Sequence, residues 1–169
     1  MFALALGSGL LAAPRPAPAQ GAARAVTTCF ETWTGRMRLH QLDAAIALCS
    51  RIVDDPSSAA AARGRAFGQR GLLHGRRWAL VESSADALHG IADISEGFRL
   101  DRPDRERRQQ LLLVRAKLHE AIGQFDKAFG DFRAVLQDDP GNDAARAGLR
   151  RLGQSDARRA IGAAAPPPS

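Results

Sequence analysis

The stretch RAKLHEAIGQFDKAFGDFRAVLQDDP, residues 115–140, decides the fold of this chain. It predicts two helices joined by a tight corner, which Gly123 marks. On the second helix, Ala128 and Phe132 lie four residues apart, so both side chains belong to one helical face. Pro140 closes this helix, because proline cannot continue the helical hydrogen-bond ladder. The stretch therefore predicts one helical hairpin.

Two other segments end in the same way. The first reads AAIALCSRIVDDP, from Ala44 to Pro56, and the second reads GIADISEGFRLDRP, from Gly90 to Pro103. Each begins with a small residue, carries apolar residues at helical spacing and ends in acidic residues and proline. Proline also pushes the preceding residue out of the α region, so the next helix can start at a fixed angle.

Together, these segments resemble the second helices of three units of the tetratricopeptide repeat (TPR) family, whose pattern has a small residue, an aromatic residue four later and a proline. The resemblance implies an all-α fold, a TPR-type α-solenoid of about three helix-turn-helix repeats with a C-terminal capping helix. The repeats would occupy residues 28–56, 59–103 and 105–140, and the cap residues 142–152. The positions that carry the resemblance are Gly71, Ala116, Gly123, Phe125, Ala128, Phe132 and Pro140.

The second repeat contains an insertion. The interval from Pro56 to Pro103 exceeds the usual repeat of about 34 residues, and we assign the excess to the segment Gly75–Ser84. We expect a lengthened helix or a loop there, with Trp78 and Leu80 packed on the hairpin.

The first repeat holds both cysteines of the sequence. We place its corner near Leu39–Leu42, with Trp33 facing inward. Cys29 lies about ten residues before this corner and Cys49 about eight after it, so the two lie at similar heights in an antiparallel helix pair. In an oxidising compartment, a disulfide between them would stabilise this terminal repeat. The alternative is two buried thiols that face different neighbours.

The N-terminal stretch MFALALGSGLLAAPRPAPAQ fits a secretory signal, with an apolar core and then small residues at Ala17 and Ala19. We expect residues 1–19 to be a signal peptide cleaved after Ala19, which places the protein in the periplasm or outside the cell. The alternative is a leader without an address, since no basic residue precedes the apolar core. The apolar run is shorter than the ~20 residues of a membrane-spanning helix. Residues 20–27 would be a linker, and residues 153–169 a disordered Ala/Pro-rich tail.

The composition supports one helical domain. The chain has 169 residues, of which 45% are hydrophobic and only 5% aromatic, which is enough for one core. Runs of alternating β-branched residues, the sign of strands, are absent. The net charge of +6 comes almost wholly from arginine, and it fits either a nucleic-acid surface or a coding preference for arginine over lysine. Because the arginines alternate with acidic residues, we favour the second explanation.

No residue pattern indicates catalysis. The sequence has four histidines, none of them spaced as metal ligands, and it lacks the common nucleophile and phosphate-binding motifs. We interpret His74 and His119 as packing residues of first helices. The acidic pairs at residues 54–55 and 138–139 recur just before proline, so they follow the fold instead of forming an acid–base pair. We therefore expect a protein that is not an enzyme and has no cofactor or metal site.

In the TPR family, the first helices line a concave groove that holds an extended peptide or a partner helix. The resemblance implies that the groove candidates here are Arg65, Leu72, Arg76, Gln110, Leu113, Lys117 and Glu120. Arg65, Arg76 and Lys117 would suit a carboxylate or an acidic peptide, since these side chains are cationic donors. The family subgroup that clamps C-terminal carboxylates uses a Lys/Asn pattern, and its two groove asparagines are not found in this sequence.

These observations predict a non-catalytic protein–protein interaction module, a TPR scaffold or adaptor that binds a peptide or protein of the cell envelope in its concave groove. We expect a monomer with no membrane span and no nucleic-acid partner. The alternative is a basic helical solenoid that binds an anionic polymer such as nucleic acid, and it depends on the charge alone.

Overall fold

The computed structural model describes residues 29–30 and 37–163, with side chains as far as residue 154. The expected signal peptide (residues 1–19), the linker (residues 20–27) and the position of Trp33 lie outside the described residues. Within the described part the protein is all-helical and has no strand, as predicted. The helices are α1 (Leu39–Val53), α2 (Ala60–Val81), α3 (Ser84–Leu100), α4 (Arg105–Ala121), α5 (Phe125–Asp138) and α6 (Asp143–Ala163).

Each of these helices packs on the next one along the sequence. In addition, α2 contacts α4, and α4 contacts α6. Among the described helices, α1, α3 and α5 do not approach one another directly. The even-numbered helices therefore connect the successive hairpins.

Side chains at the helix starts explain where several helices begin. Ser83 accepts a hydrogen bond from the backbone N–H of Asp86 at the start of α3. Asp104 does the same for Arg107 at the start of α4, and Asn142 accepts from the backbone of Ala145 at the start of α6. Each cap satisfies one of the free N–H groups that every helix start leaves.

The corner between α4 and α5 requires a left-handed backbone. Gly123 has φ +75 there, a conformation that glycine adopts without steric cost. Ala116, Ala128 and Phe132 are completely buried and form the core of this hairpin, and Leu152 of α6 covers it. The small residues let the two helices approach each other, and Phe132 fills the space between them and α6.

The segment predicted as an insertion is part of one long helix, α2. Helix α2 runs without interruption to Val81 and ends at Glu82, which has φ 52. The expectation that Leu80 packs on the hairpin is wrong, since Leu80 is 56% exposed. The buried face of α2 ends at Gly75, so the last turns of the helix extend beyond the packed part.

Two expected boundaries also differ. The segment Leu39–Leu42, expected as a corner, is already part of α1. The closing helix continues beyond Leu152 to Ala163, where we expected a disordered tail from Gly153. Gly153 lies inside this helix, because a single glycine lowers helix stability without ending the helix.

Cys29 and Cys49 are brought together as predicted. Their sulfur atoms lie at bonding distance, with Cα atoms 5.0 Å apart, and both residues are buried. A pair at this distance is compatible with an oxidising compartment. Among the described residues, no helix combines the length and apolar character that a membrane crossing requires.

Candidate binding groove

A cleft of about 210 Å³ lies between α2 and α4, the first helices of the second and third hairpins. It contains four of the seven residues predicted for the groove, namely Leu72, Arg76, Gln110 and Lys117. The other three lie elsewhere. Arg65 is placed in a neighbouring cleft, Leu113 packs against the core around Phe132, and Glu120 forms an ion pair with Arg151 of α6.

The cleft combines an apolar surface with cationic groups. Val114 and Trp78 contribute apolar area, together with the predicted Leu72, and the buried Leu73 and Leu118 lie beneath them. The charged residues that line it are all cationic: Arg76, Arg107 and Lys117. No Asp or Glu is among the residues that line this cleft in the described part of the protein.

Arg107 was not predicted, and it lies near the middle of the groove. Its Nη2 donates to Oε1 of Gln69 at 2.6 Å, and its Nη1 donates to Oε1 of Gln110 at 3.3 Å. Burial lowers the pKa of the Arg107 guanidinium, and the charge of Asp104 acts in the opposite direction. The side chain is thus held in place by two neutral amide groups.

Arg107 differs from four other half-buried arginines of the described residues, although Arg63 likewise shows a hydrogen bond, to the backbone oxygen of Val53, and no ion pair. Arg70, Arg77, Arg108 and Arg115 each form an ion pair with an aspartate. For Arg107, the described part of the protein shows hydrogen bonds to amide oxygens and no ion pair. A helical stripe from Lys117 through Val114 and Gln110 to residue 107 would have identified it, because these positions share one face of α4.

The groove continues toward the N-terminal end of the described residues. A second cleft of about 460 Å³ shares Gln69 and Arg107 with the first. It is also lined by Phe30, Arg65, Asp101, Arg102, Pro103 and Asp104. Arg65 lies 3.9 Å from Asp101, so part of the positive charge at this end is balanced.

An arginine bridge recurs in two successive hairpins. Arg70 of α2 binds Asp93 of α3 through Nε and Nη2, at 2.7 and 2.8 Å, and its Nη1 donates to Ser50 of α1 at 2.9 Å. Arg115 of α4 binds Asp131 of α5 at 2.8 and 2.7 Å, and its Nη1 donates to Ser95 of α3 at 3.0 Å. Each arginine therefore ties the two helices of its own hairpin to the second helix of the preceding one.

The two buried histidines occupy corresponding places. Nδ1 of His74 lies 3.1 Å from Oδ1 of Asp86, and Nδ1 of His119 lies 2.9 Å from Oε1 of Gln124. Burial raises the pKa of Asp86, but the hydrogen bonds with His74 and Arg77 lower it by more, so the pKa of Asp86 lies below its ordinary value. Each histidine joins its first helix to the start of the second, the packing role expected for these residues.

The described residues contain no group of three or more His, Cys, Asp or Glu side chains placed to hold a metal ion. No protein-family model, curated protein or solved structure matches this sequence. The function must therefore be inferred from the geometry of the groove.

Proposed function

We propose that this protein is a non-catalytic protein-binding module, a TPR-like scaffold that holds an extended segment of another protein in the groove between α2 and α4. The observation that carries this proposal is a pair of adjoining clefts that share Gln69 and Arg107. The first of them, between the two first helices, contains Leu72, Arg76, Gln110 and Lys117. Such a cleft combines apolar area with hydrogen-bond donors. An extended peptide can use both, because its apolar side chains pack in the cleft while its polar groups accept hydrogen bonds.

The recurrence of contacts supports the TPR-like part of the proposal. Ser50 and Ser95 are 45 residues apart, and so are Arg70 and Arg115. In both cases Nη1 of the arginine donates to Oγ of the serine, at nearly the same distance. A stack of similar hairpins would produce such repeated contacts between neighbours. The resemblance of the segments that end at Pro56, Pro103 and Pro140 supports it independently.

We also propose that the protein acts in the periplasm or outside the cell, with a partner in the cell envelope. The buried Cys29–Cys49 pair supports an oxidising compartment. The alternative, binding of nucleic acid by a basic surface, receives less support, because aspartates balance Arg70, Arg77, Arg108 and Arg115. Binding of RNA or DNA that falls steeply with salt would favour that alternative.

Site-specific crosslinking in cells tests the groove. A photoreactive amino acid replaces Gln110 in the cleft or, as the matched control, Gln137, which is exposed on α5. We expect a discrete crosslinked protein from position 110 and not from position 137. Lys117→Glu should abolish the crosslink, whereas Lys127→Glu, at an exposed position of α5, should leave it intact.

Equal crosslinking from both positions, or a crosslink that survives Lys117→Glu, would refute the groove as the binding site. The captured protein must also bind the purified full-length protein. In that assay, Lys117→Glu should weaken the binding and Lys127→Glu should leave it unchanged.

A further inference from the structure

We infer that two copies of this chain associate through an exposed face of α5, related by a two-fold axis, with Phe129 of each copy packed on Gly130 of the other. None of the residues that line the two adjoining clefts belongs to α5, so this association does not depend on the proposed function. The sequence alone predicted a monomer, and a dimer differs from that expectation.

The exposed face of α5 combines an aromatic ring and a glycine with two opposite charges. Its positions are spaced by three or four residues or are adjacent, and they fall within about 100° of one another around the helix. All of its members are exposed in the described structure, namely Asp126, Phe129, Gly130, Arg133 and Gln137. The face is therefore an outer surface that none of the described residues covers.

Phe129 is a large apolar residue of α5 that stays in contact with water. It is 46% exposed, and the guanidinium of Arg133 lies over its ring, 5.7 Å from the centroid. Aromatic rings are enriched in protein interfaces, because each one buries a large apolar area when it packs. A single exposed apolar residue is common on protein surfaces, so Phe129 by itself does not identify an interface.

Gly130 offers a place for such a ring. A Cβ at this position would meet nothing within 4 Å, so no packing among the described residues requires glycine there. Glycine lowers the stability of a helix relative to alanine, but without a side chain it lets a second helix come close. Gly153 is equally unhindered, so the glycine is informative only together with the neighbouring ring. Side by side, Phe129 and Gly130 form a knob and a hole.

The order of these residues along α5 is self-complementary. When two copies of α5 lie antiparallel about a two-fold axis between positions 129 and 130, position 129 faces position 130 of the other copy, and position 126 faces position 133. Phe129 then covers Gly130 twice, and Asp126 of each copy meets Arg133 of the other.

The two charges have no counter-charge within the chain. Neither Asp126 nor Arg133 forms an ion pair with another described residue. Within one helix they are separated by seven residues, about 10.5 Å along the axis, which is too far for a direct pair. One axis thus satisfies both the ring and the charges, and for this reason we assign the face to a second copy and not to an unrelated protein.

The size of this face determines the affinity that we expect. One helix face from each copy forms an interface at the small end of the range, below about 1,200 Å² of total buried area. Such interfaces belong to weak and reversible complexes. We therefore expect a dimer of the full-length protein that dissociates in the micromolar range, measured by sedimentation equilibrium over a series of concentrations.

Two substitutions test the knob and the hole. Phe129→Ala removes the ring and Gly130→Gln fills its place, so each should weaken dimerisation about tenfold or more. Gly130→Gln should also raise the midpoint of thermal unfolding at dilutions where the protein is monomeric, because glutamine is a better helix former than glycine. Loss of the dimer in this variant therefore does not come from unfolding.

Charge reversal tests the two-fold arrangement. Asp126→Arg and Arg133→Asp should each weaken dimerisation about tenfold, because like charges then face each other. An equimolar mixture of these two variants should associate about as strongly as the parent, since both ion pairs again join opposite charges. Glu106→Arg is the matched control, because it also reverses an exposed acidic residue in the first turn of a helix, and it should leave dimerisation unchanged.

A protein that stays monomeric at the highest soluble concentration would overturn the inference. So would a dimer that survives Phe129→Ala and Gly130→Gln, or a mixture of the charge variants that associates no better than either one alone. Binding of a monomeric chain to phosphatidylglycerol vesicles or to another protein, with loss of binding in Phe129→Ala, would assign the face to that partner and would equally overturn the inference.

Discussion

Single residues matter most to this fold where an arginine and an aspartate are buried together as an ion pair. The Arg70–Asp93 pair is the clearest example, because the side chains are only 18% and 9% exposed and two parallel hydrogen bonds join them. The pair with Asp93 also raises the pKa of Arg70, against the effect of burial. Breaking such a pair leaves an uncompensated charge inside the protein, which costs more than the intact pair contributes.

The first prediction concerns this pair. Asp93→Ala should lower the free energy of unfolding by about 3 kcal/mol, because Arg70 is left half-buried without a counter-charge. Adding Arg70→Met should restore most of the loss, so a double-mutant cycle measured by urea denaturation should show strong coupling. Glu96→Gln, which removes the exposed partner of Arg99, is the control and should have little effect. Additive effects of the first two changes would contradict the role of the bridge.

The second prediction concerns His119. Burial lowers the pKa of His119 below the ordinary 6.5. Asp131 and Gln124 raise this pKa by smaller amounts, and the positive charges of Arg115 and Lys127 lower it slightly further. The unfolded protein therefore binds a proton at a higher pH than the folded protein does. Stability is fully present above pH 6.5 and falls as the pH drops from that value toward the lowered pKa of the folded state.

Urea denaturation at pH 7.5 and 5.5 checks this sign. The free energy of unfolding should fall between the two values, and His119→Gln should reduce that fall, because glutamine does not titrate. His40→Gln, at an exposed position of α1, is the matched control substitution. A stability that rises toward pH 5.5, or that responds equally to both substitutions, would contradict the prediction.

At the scale of helices, glycine has two different structural roles in this protein: one glycine allows close packing inside a helix, and another ends a helix. Gly75 begins the segment assigned to the insertion, and it lies inside α2, where a Cβ atom would come within 2.6 Å of Val114. Gly123 does form a corner. The sequence does not distinguish these two glycines, since only the position of the neighbouring helix decides whether a glycine ends a helix or lets another helix approach.

The third prediction uses two glycines of α6. A Cβ at Gly148 would lie 2.4–2.6 Å from ring atoms of Phe132, which is completely buried and has no room to move, whereas a Cβ at Gly153 meets nothing within 4 Å. Gly148→Ala should therefore destabilise the protein by roughly 1–3 kcal/mol. Gly153→Ala should stabilise it by up to about 1 kcal/mol, through helix propensity alone. Chemical denaturation measures both, and effects of the same sign would contradict the packing of α6 on α5.

Local chemistry made some elements predictable. The helix ends before Pro56, Pro103 and Pro140 follow from the geometry of proline. The Cys29–Cys49 pair was predicted correctly, although the corner from which its heights were counted is part of α1. The exposure of Leu80 was not predictable, because its apolar side chain suggests burial and only the end of the packed face shows otherwise. The helical spacing of Lys117, Gln110 and Arg107 shows that Arg107 faces the groove, but the sequence does not show that it lacks an ion pair in the described structure.

For the molecule as a whole, the recurring contacts relate the second hairpin to the third. The two arginines of the bridges, Arg70 and Arg115, are 45 residues apart, whereas their aspartates, Asp93 and Asp131, are 38 apart. The second hairpin is thus 7 residues longer, which is about two helical turns at 3.6 residues per turn. The residues of the histidine contacts are 12 apart for His74 and Asp86 and 5 apart for His119 and Gln124. This difference is again 7, so the extra residues all lie at the far end of the hairpin and leave the bridges and the histidine contacts in place.

The fourth prediction tests this relation in the complete protein. The corner of the third hairpin places Ile122-Gly123 between Ala121 and Gln124, while residues 77–85 occupy the corresponding place before Asp86. Replacing residues 77–85 by Ile-Gly removes a net seven residues from the end of the hairpin and should still give a folded protein. Asp86 would then stand at the helix start, where aspartate is a good cap, and it would remain beside His74.

We expect this variant to keep its helical circular dichroism and to unfold in one cooperative urea transition. The midpoint should be lower than in the parent, because the ion pairs of Arg77 with Asp43 and Asp86 are removed. Arg77→Ala in the full-length hairpin is the control that measures that loss by itself. Because a hairpin unrelated to the third would not accept its corner, loss of cooperative unfolding beyond that of Arg77→Ala would show that the two hairpins do not share one geometry.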